Sequence, residues 1–208
     1  MAQILKFPLQ ATKFGYKRVR QRAKPEENPD QLHLFPRPTA QILSFFSGLS
    51  YFEQALLLDE RGDAQAAELY RKAIAENDSV PDAFCNLGII ESKRGNLPKA
   101  FDCFTSCLRQ NPRHFEAHYN LGNMYFDAND YRLARLHYEL AAELDPMFPN
   151  VYFNLALVQA INNDLGAAVE TLTRYREMVP PDEGRNVEEL LENLRKSLLA
   201  AKNPRSSP

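Results

Sequence analysis

The side chains best suited to metal chemistry are two cysteines one helical turn apart, Cys103 and Cys107, followed by His114. Thiolate and imidazole groups are zinc ligands, but a structural zinc site uses four of them. This cluster offers three, and free cysteine is among the residue types most often buried as a small apolar side chain. We therefore expect cysteines packed in a core, with no metal ion and no other cofactor.

Catalytic patterns are also missing from the sequence. It has no phosphate-binding loop, no dinucleotide fingerprint and no nucleophile motif. His118 and His137 have no acidic or cysteine partner nearby in the sequence, so packing or surface roles are expected for both. The chain is predicted not to be an enzyme.

A period of 34 residues organises residues 81–180. Each copy has two apolar helical windows separated by a turn, with an asparagine and a small residue in the first window, an alanine in the second, and a proline that ends it. The matching sets are Asn86, Gly88, Ala100 and Pro112; Asn120, Gly122, Ala134 and Pro146; and Asn154, Ala156, Ala168 and Pro180. Small side chains allow close approach of two helices, and no single copy can bury its apolar face alone, so the copies must stack.

This pattern resembles the tetratricopeptide repeat (TPR) family, whose unit is a helix-turn-helix of 34 residues. The resemblance implies an all-α fold, a right-handed TPR solenoid of antiparallel helix pairs. A repeat domain is predicted over 39–180, with four units at about 48–80, 81–114, 115–148 and 149–180, of which the first is degenerate. A turn at 182–186, an amphipathic capping helix at 185–201 and a tail at 202–208 are predicted to follow.

The resemblance also implies a concave groove lined by the first helix of each unit. Asn86, Asn120 and Asn154 resemble the asparagine ladder with which some TPR proteins hold a peptide backbone, because a side-chain amide both donates and accepts hydrogen bonds. Alternatively, each asparagine satisfies the backbone of a neighbouring helix. The other predicted groove positions are Cys85, Ile89, Tyr119, Asn123, Phe126, Phe153 and Leu157. The groove lacks the Lys and Arg array that clamps a C-terminal carboxylate in chaperone-binding members, and we expect a non-catalytic adaptor that binds a protein or peptide.

The first 24 residues are strongly basic. They hold seven basic residues and no acidic one, whereas the rest of the chain has 18 basic against 27 acidic residues. This asymmetry predicts a basic arm that contacts nucleic acid or another anionic surface. The alternatives are a solvated tail without a partner and an organellar transit peptide. The basic residues are Lys6, Lys13, Lys17, Arg18, Arg20, Arg22 and Lys24.

A proline-containing linker at 25–38 extends this arm, so that residues 1–38 are predicted to be flexible and disordered. Within it, Gln31-Leu32-His33-Leu34-Phe35 resembles the peptide by which bacterial replication and repair proteins bind the DNA sliding clamp. This resemblance implies an alternative function, that of a DNA replication or repair accessory protein recruited to the clamp through Gln31, Leu32, Leu34 and Phe35. Otherwise the segment is an apolar strip that covers the first repeat.

The overall composition is that of an ordinary soluble protein, with 44% hydrophobic residues and a net charge of -2. No apolar run reaches the roughly 18 residues that a membrane-spanning helix needs. The odd number of cysteines, three, argues against a disulfide framework and fits a reducing compartment. We therefore expect a cytoplasmic protein without a membrane span.

Overall fold

The computed structural model describes residues 13–20 and 48–202. These ranges contain nine α-helices and no β-strand, which confirms the predicted all-α fold. The helices are α1 (Tyr51–Glu60), α2 (Ala66–Ala75), α3 (Val80–Lys93), α4 (Leu97–Gln110), α5 (Phe115–Asp127), α6 (Tyr131–Leu144), α7 (Pro149–Ile161), α8 (Leu165–Met178) and α9 (Pro181–Lys202).

The chain forms two compact units, which we describe separately. Of the described residues, 18–20 and 48–112 form the N-terminal unit, which contains α1 to α4, and 13–17 and 113–202 form the C-terminal unit, which contains α5 to α9. In the N-terminal unit α1 packs on α2 and α3 on α4; in the C-terminal unit α5 packs on α6, α7 on α8, and α9 on α8. Three of the four pairs lie within the bounds predicted for one repeat, and the pair α3–α4 begins one residue earlier than predicted, at Val80.

The boundaries of the repeated helices follow from local chemistry. The side chains of Asp130 and Asp164 accept hydrogen bonds from backbone N–H groups in the first turns of α6 and α8, which satisfies donors that a helix leaves unpaired at its start. At the other end, α4, α6 and α8 stop two residues before a proline, which cannot continue the helical hydrogen bonds.

The turns within three of the pairs share one backbone conformation. Gly95, Asn129 and Asn163, which are spaced by the repeat period, have φ angles of 79°, 59° and 62°. This left-handed conformation is tolerated by glycine and asparagine and disfavoured for most other residues. The recurrence of these two residue types in the predicted turns therefore has a direct structural cause.

Glycines allow the two helices of a pair to pack closely. A Cβ atom added to Gly122 on α5 would lie 2.6 Å from ring carbons of Tyr138 on α6, and one added to Gly88 on α3 would lie 2.8 Å from Phe104 on α4. Both rings are fully buried. Each ring thus rests on bare helix backbone, as the small residues of the repeat predict.

The last helix differs from the prediction in its start. Helix α9 spans Pro181–Lys202, so the turn predicted at 182–186 was wrong. Proline is favoured at the first position of a helix, and acidic residues are favoured in its first turn, and these preferences outweigh the turn-like composition of 182–186. The apolar stripe packs into the core of the C-terminal unit, with Val187, Leu190, Leu191 and Leu194 buried.

Several predicted features lie outside the described residues: the clamp-like peptide at 31–35, and Lys6, Arg22 and Lys24 of the basic arm. In the part of the chain that the structure describes, no helix is both long and apolar enough to cross a membrane.

Candidate peptide-binding site

A segment of the predicted flexible arm lies against the C-terminal unit of its own chain. Residues 13–17 run along the first helices of its two repeats and are held through their backbone. The Asn154 Oδ1 atom accepts a 2.8 Å hydrogen bond from the Phe14 N–H, and Asn154 Nδ2 donates to the Phe14 carbonyl at 3.1 Å. Asn120 pairs in the same way with Lys17, at 2.7 Å and 2.8 Å.

This pairing depends on the backbone conformation of the segment. The N–H and C=O groups of one residue point to the same side only where the chain is extended, as in a β-strand. A side-chain amide that engages both groups therefore selects extended backbone without reading the side chain. The segment runs from Asn154 on α7 towards Asn120 on α5 as its residue numbers increase, which fixes its direction on this unit.

Buried hydroxyl and amide groups hold Asn154 in place. Its Nδ2 atom lies 3.1 Å from the Tyr119 hydroxyl and 3.0 Å from Asn123 Oδ1, which also accepts a 2.7 Å hydrogen bond from the Tyr138 hydroxyl. Burial raises the pKa of both tyrosines, so each phenol stays protonated and able to donate. The Tyr119 hydroxyl also donates to the Phe14 carbonyl at 3.4 Å. A network of this kind holds the amide in one orientation.

Side chains of the segment make their own contacts. The Phe14 ring packs against Phe153 and Tyr175, with centroid distances of 5.1 Å and 6.0 Å. Lys17 Nζ lies 4.5 Å from the centroid of the Phe148 ring, a cation–π distance. Lys13 Nζ lies 3.3 Å from Asp127 Oδ1 and 5.9 Å from the centroid of the Phe126 ring.

The N-terminal unit contains one asparagine of the same kind. Asn86 Oδ1 accepts from the Val19 N–H at 2.9 Å, and Asn86 Nδ2 donates to the Val19 carbonyl at 3.0 Å and to the Tyr70 hydroxyl at 3.1 Å. Val19 is 1% exposed. Next to it, Arg18 Nε lies 2.7 Å from Asp59 Oδ2. Burial raises the pKa of the Asp59 carboxyl, and the Arg18 charge opposes this shift.

The predicted groove residues divide into two groups. The three ladder asparagines, Tyr119 and Phe153 contact residues 13–20 directly, Phe126 lies near Lys13, and Asn123 acts through Asn154. Cys85, Ile89 and Leu157 are buried within their own units. Each of the three asparagines contacts the backbone of residues 13–20, and Asn86 and Asn154 also contact side chains of the neighbouring helices α2 and α5.

Sequence reasoning missed Phe148, Tyr175 and Asp127. Tyr175 had a visible signal, since the equivalent positions of the two preceding repeats hold the small residues Cys107 and Ala141. A large aromatic residue at that position indicates a local change in packing. Phe148 and Asp127 lie at a helix start and a helix end and carry no repeat signature.

The histidines and cysteines form no metal centre in the described ranges, where no group of three or more possible ligands occurs. Packing or surface roles were predicted for His118 and His137, and in the structure their Nδ1 atoms lie 3.1 Å apart. Burial, together with the neighbouring His118, lowers the pKa of His137 to about 4. Burial also raises the pKa of Cys103 to about 11, which keeps its thiol protonated and makes it a poor nucleophile.

Comparison with known families supports the repeat assignment. Residues 103–135 match a model described as "Tetratricopeptide repeat", and residues 122–163 match one described as "TPR repeat". Together the two matches span residues 103–163. The chain is also 25% identical over 113 residues to human "Tetratricopeptide repeat protein 6", a match that covers 54% of this chain and 22% of the human protein. The chain therefore spans about a fifth of that relative.

Two solved structures have a similar fold. One is the first TPR of Spaghetti (RPAP3) bound to the HSP90 peptide SRMEEVD, at 19% identity and a TM-score of 0.53, covering 58% of this chain and 94% of that one. Another is MamA 41-end from Desulfovibrio magneticus RS-1, at 18% identity and a TM-score of 0.56, covering 76% and 96%. At these identities the likeness concerns the fold alone.

Proposed function

We propose that this protein is a non-catalytic TPR adaptor that binds an extended protein segment through the asparagines of its first helices. The observation that carries the proposal is the paired hydrogen bonding of Asn120 and Asn154 to both backbone groups of Lys17 and Phe14. In the N-terminal unit, Asn86 forms the same pair of hydrogen bonds with the backbone of Val19. A protein that holds three residues by their backbone is equipped to bind peptides.

The surroundings of the asparagines support binding and not catalysis. Tyr119 and Tyr138, which contact Asn154 and Asn123, are kept protonated by burial, so neither phenol is poised as a base. The RPAP3 structure contains a peptide on a similar fold, which supports the general mode. The odd number of cysteines, three, fits a reducing compartment such as the cytoplasm.

The test uses a fluorescein-labelled peptide with the sequence of residues 11–20. Because the chain's own segment competes for the site, the receptor is the full chain carrying Phe14→Ala and Lys17→Ala, here called the arm-released variant. We expect saturable binding by fluorescence anisotropy. Adding Asn120→Asp, which keeps the side-chain size but removes the amide donor, should weaken binding about tenfold, since one hydrogen bond is lost and an acceptor faces a carbonyl.

The matched control is Asn162→Ala in the same variant, because Asn162 is exposed at the end of α7. Its affinity should stay unchanged. Circular dichroism establishes that each receptor is folded. Equal peptide affinity with and without Asn120→Asp would contradict the proposal.

Recruitment to a sliding clamp through Gln31–Phe35 and nucleic-acid binding by the basic arm stay predictions. The structure places the charged groups of Lys13 and Arg18 beside Asp127 and Asp59, and that of Lys17 beside the Phe148 ring.

A further inference from the structure

The site on the C-terminal unit has features beyond backbone recognition. Phe153 on α7 and Tyr175 on α8 lie 5.2 Å apart between ring centroids, and both contact the Phe14 ring. Asn154, which neighbours Phe153 on α7, fixes the backbone of Phe14. The aromatic pair therefore contacts the side chain of the residue whose backbone Asn154 binds.

A second recognition point lies three residues further along the segment. Asn120 holds the backbone of Lys17, whose ammonium group faces the Phe148 ring at 4.5 Å. That ring is fixed by edge-to-face contacts with Phe115 and Tyr119, each at a centroid distance of 5.2 Å. A cation is attracted to such a ring face, whereas a carboxylate is not.

A third point precedes the aromatic residue. The Lys13 ammonium group lies 3.3 Å from Asp127, and its side chain is only 13% exposed whereas that of Asp127 is 56% exposed. A basic side chain here loses much of its solvent contact while gaining an ion pair. An acidic residue would instead face the Asp127 carboxylate, and the repulsion disfavours acidic ligands.

We propose that this face selects extended protein segments of the pattern basic-aromatic-x-x-basic, and that Lys13-Phe14-Gly15-Tyr16-Lys17 occupies it as a competing ligand within the same chain. This inference rests on the proposed function and adds the class of ligand to it. A partner segment of the same pattern displaces residues 13–17 when it binds.

Competition by a tethered segment has a measurable consequence. A segment on the same chain has an effective concentration of order millimolar. The apparent dissociation constant of an external ligand equals its intrinsic dissociation constant divided by the fraction of molecules whose site is free. Binding in trans is therefore weaker in the wild-type chain than in the arm-released variant.

The experiment compares labelled peptides on the arm-released variant by anisotropy. The probes are the sequence of residues 11–20, the same peptide with Phe14→Ala, the same peptide with Lys13→Glu and Lys17→Glu, and a scrambled peptide of identical composition. We expect the Phe14→Ala and double-Glu peptides to bind at least about tenfold more weakly, in line with loss of a buried aromatic ring or of two favourable charges. A peptide with Arg20→Ala is the matched control and should bind within about twofold, because Arg20 is exposed.

The outcomes separate the two proposals. The scrambled and native-order peptides could bind with equal affinity, with Asn120→Asp still weakening both. That result would overturn the sequence pattern and leave the adaptor function intact. Insensitivity to Asn120→Asp would remove the adaptor function itself.

Occupancy within one chain is tested separately. We expect the wild-type chain to bind the native-order peptide at least about tenfold more weakly than the arm-released variant and to be monomeric by light scattering. Equal affinities, or a dimer that dissociates when Phe14→Ala is introduced, would overturn the competing role within the chain.

Discussion

Replacing Gly122 with alanine should destabilise the C-terminal unit, although alanine is the better helix former. The new Cβ atom would lie 2.6 Å from Cδ1 and Cε1 of Tyr138, whereas ordinary contact begins at 3.4 Å. The ring would have to move by about 0.8 Å in a close-packed interior. It is fully buried, and its hydroxyl donates a 2.7 Å hydrogen bond to Asn123, so it has little freedom to swing away.

The magnitude follows from two opposing contributions. Overpacking a well-filled core costs about 1–3 kcal/mol, and exchanging glycine for alanine inside a helix gains about 1 kcal/mol. The net expectation is a loss of about 1 kcal/mol, rising to several for Gly122→Leu. Gly166→Ala on α8 is the matched control, because its added Cβ would meet no atom within 4 Å apart from its chain neighbours and the nearby backbone of its own helix, and it should gain up to about 1 kcal/mol.

Urea unfolding followed by far-ultraviolet circular dichroism measures both variants. The midpoint for Gly122→Ala should lie below that of the parent and the midpoint for Gly166→Ala above it, with unchanged slopes. If Gly122→Ala stabilises the chain as much as Gly166→Ala does, the close helix packing described here is wrong.

Three further perturbations test other parts of the structure. Ala134→Arg forces a charge into a fully buried position and should cost about 3 kcal/mol or more, so a parental melting curve would count against the packing of α5 and α6. Tyr70→Phe removes the hydroxyl to which Asn86 donates and should cost about 1–2 kcal/mol, with an unchanged urea midpoint arguing against that contact. The pKa of His137 is lowered from 6.5 to about 4 by burial and by His118, so stability should be flat above pH 6.5 and should fall between pH 6.5 and 4 as the unfolded state takes up the proton. That loss should be roughly 1–2 kcal/mol, allowing for partial exposure, and a His137→Gln variant that keeps the whole pH dependence would exclude this histidine as its source.

Much of the fold could be predicted because the same residue types recur at equivalent positions in three repeats. Glycine or asparagine recurs where φ is positive, as at Gly95 and Asn129, and a glycine recurs where a ring meets a helix backbone, as at Gly122. Because each position occurs several times, the structure predicted for it depends less on any single residue. It gave no help after residue 180, and the start of α9 was misjudged for that reason.

The site could be predicted only in part. The ladder asparagines could be identified because they recur at the repeat period. The segment that they contact could not be identified. Contact between Phe14 and Asn154 joins residues 140 positions apart, and a single sequence contains no signal that pairs such distant positions. The basic composition of the arm suggested an anionic partner, whereas Lys17 meets an aromatic ring.

The most direct test is the rate of amide hydrogen exchange along residues 13–17 in the intact wild-type chain, measured by nuclear magnetic resonance. If Asn154 and Asn120 hold the backbone, the Phe14 and Lys17 amides should exchange slowly while the exposed Gly15 between them exchanges fast. Asn120→Leu, which removes the acceptor of the Lys17 N–H as well as the donor to its carbonyl, should accelerate exchange at Lys17 more than at Phe14. Exchange of all three amides at the rate of an unstructured peptide would contradict recognition of an extended segment by these asparagines.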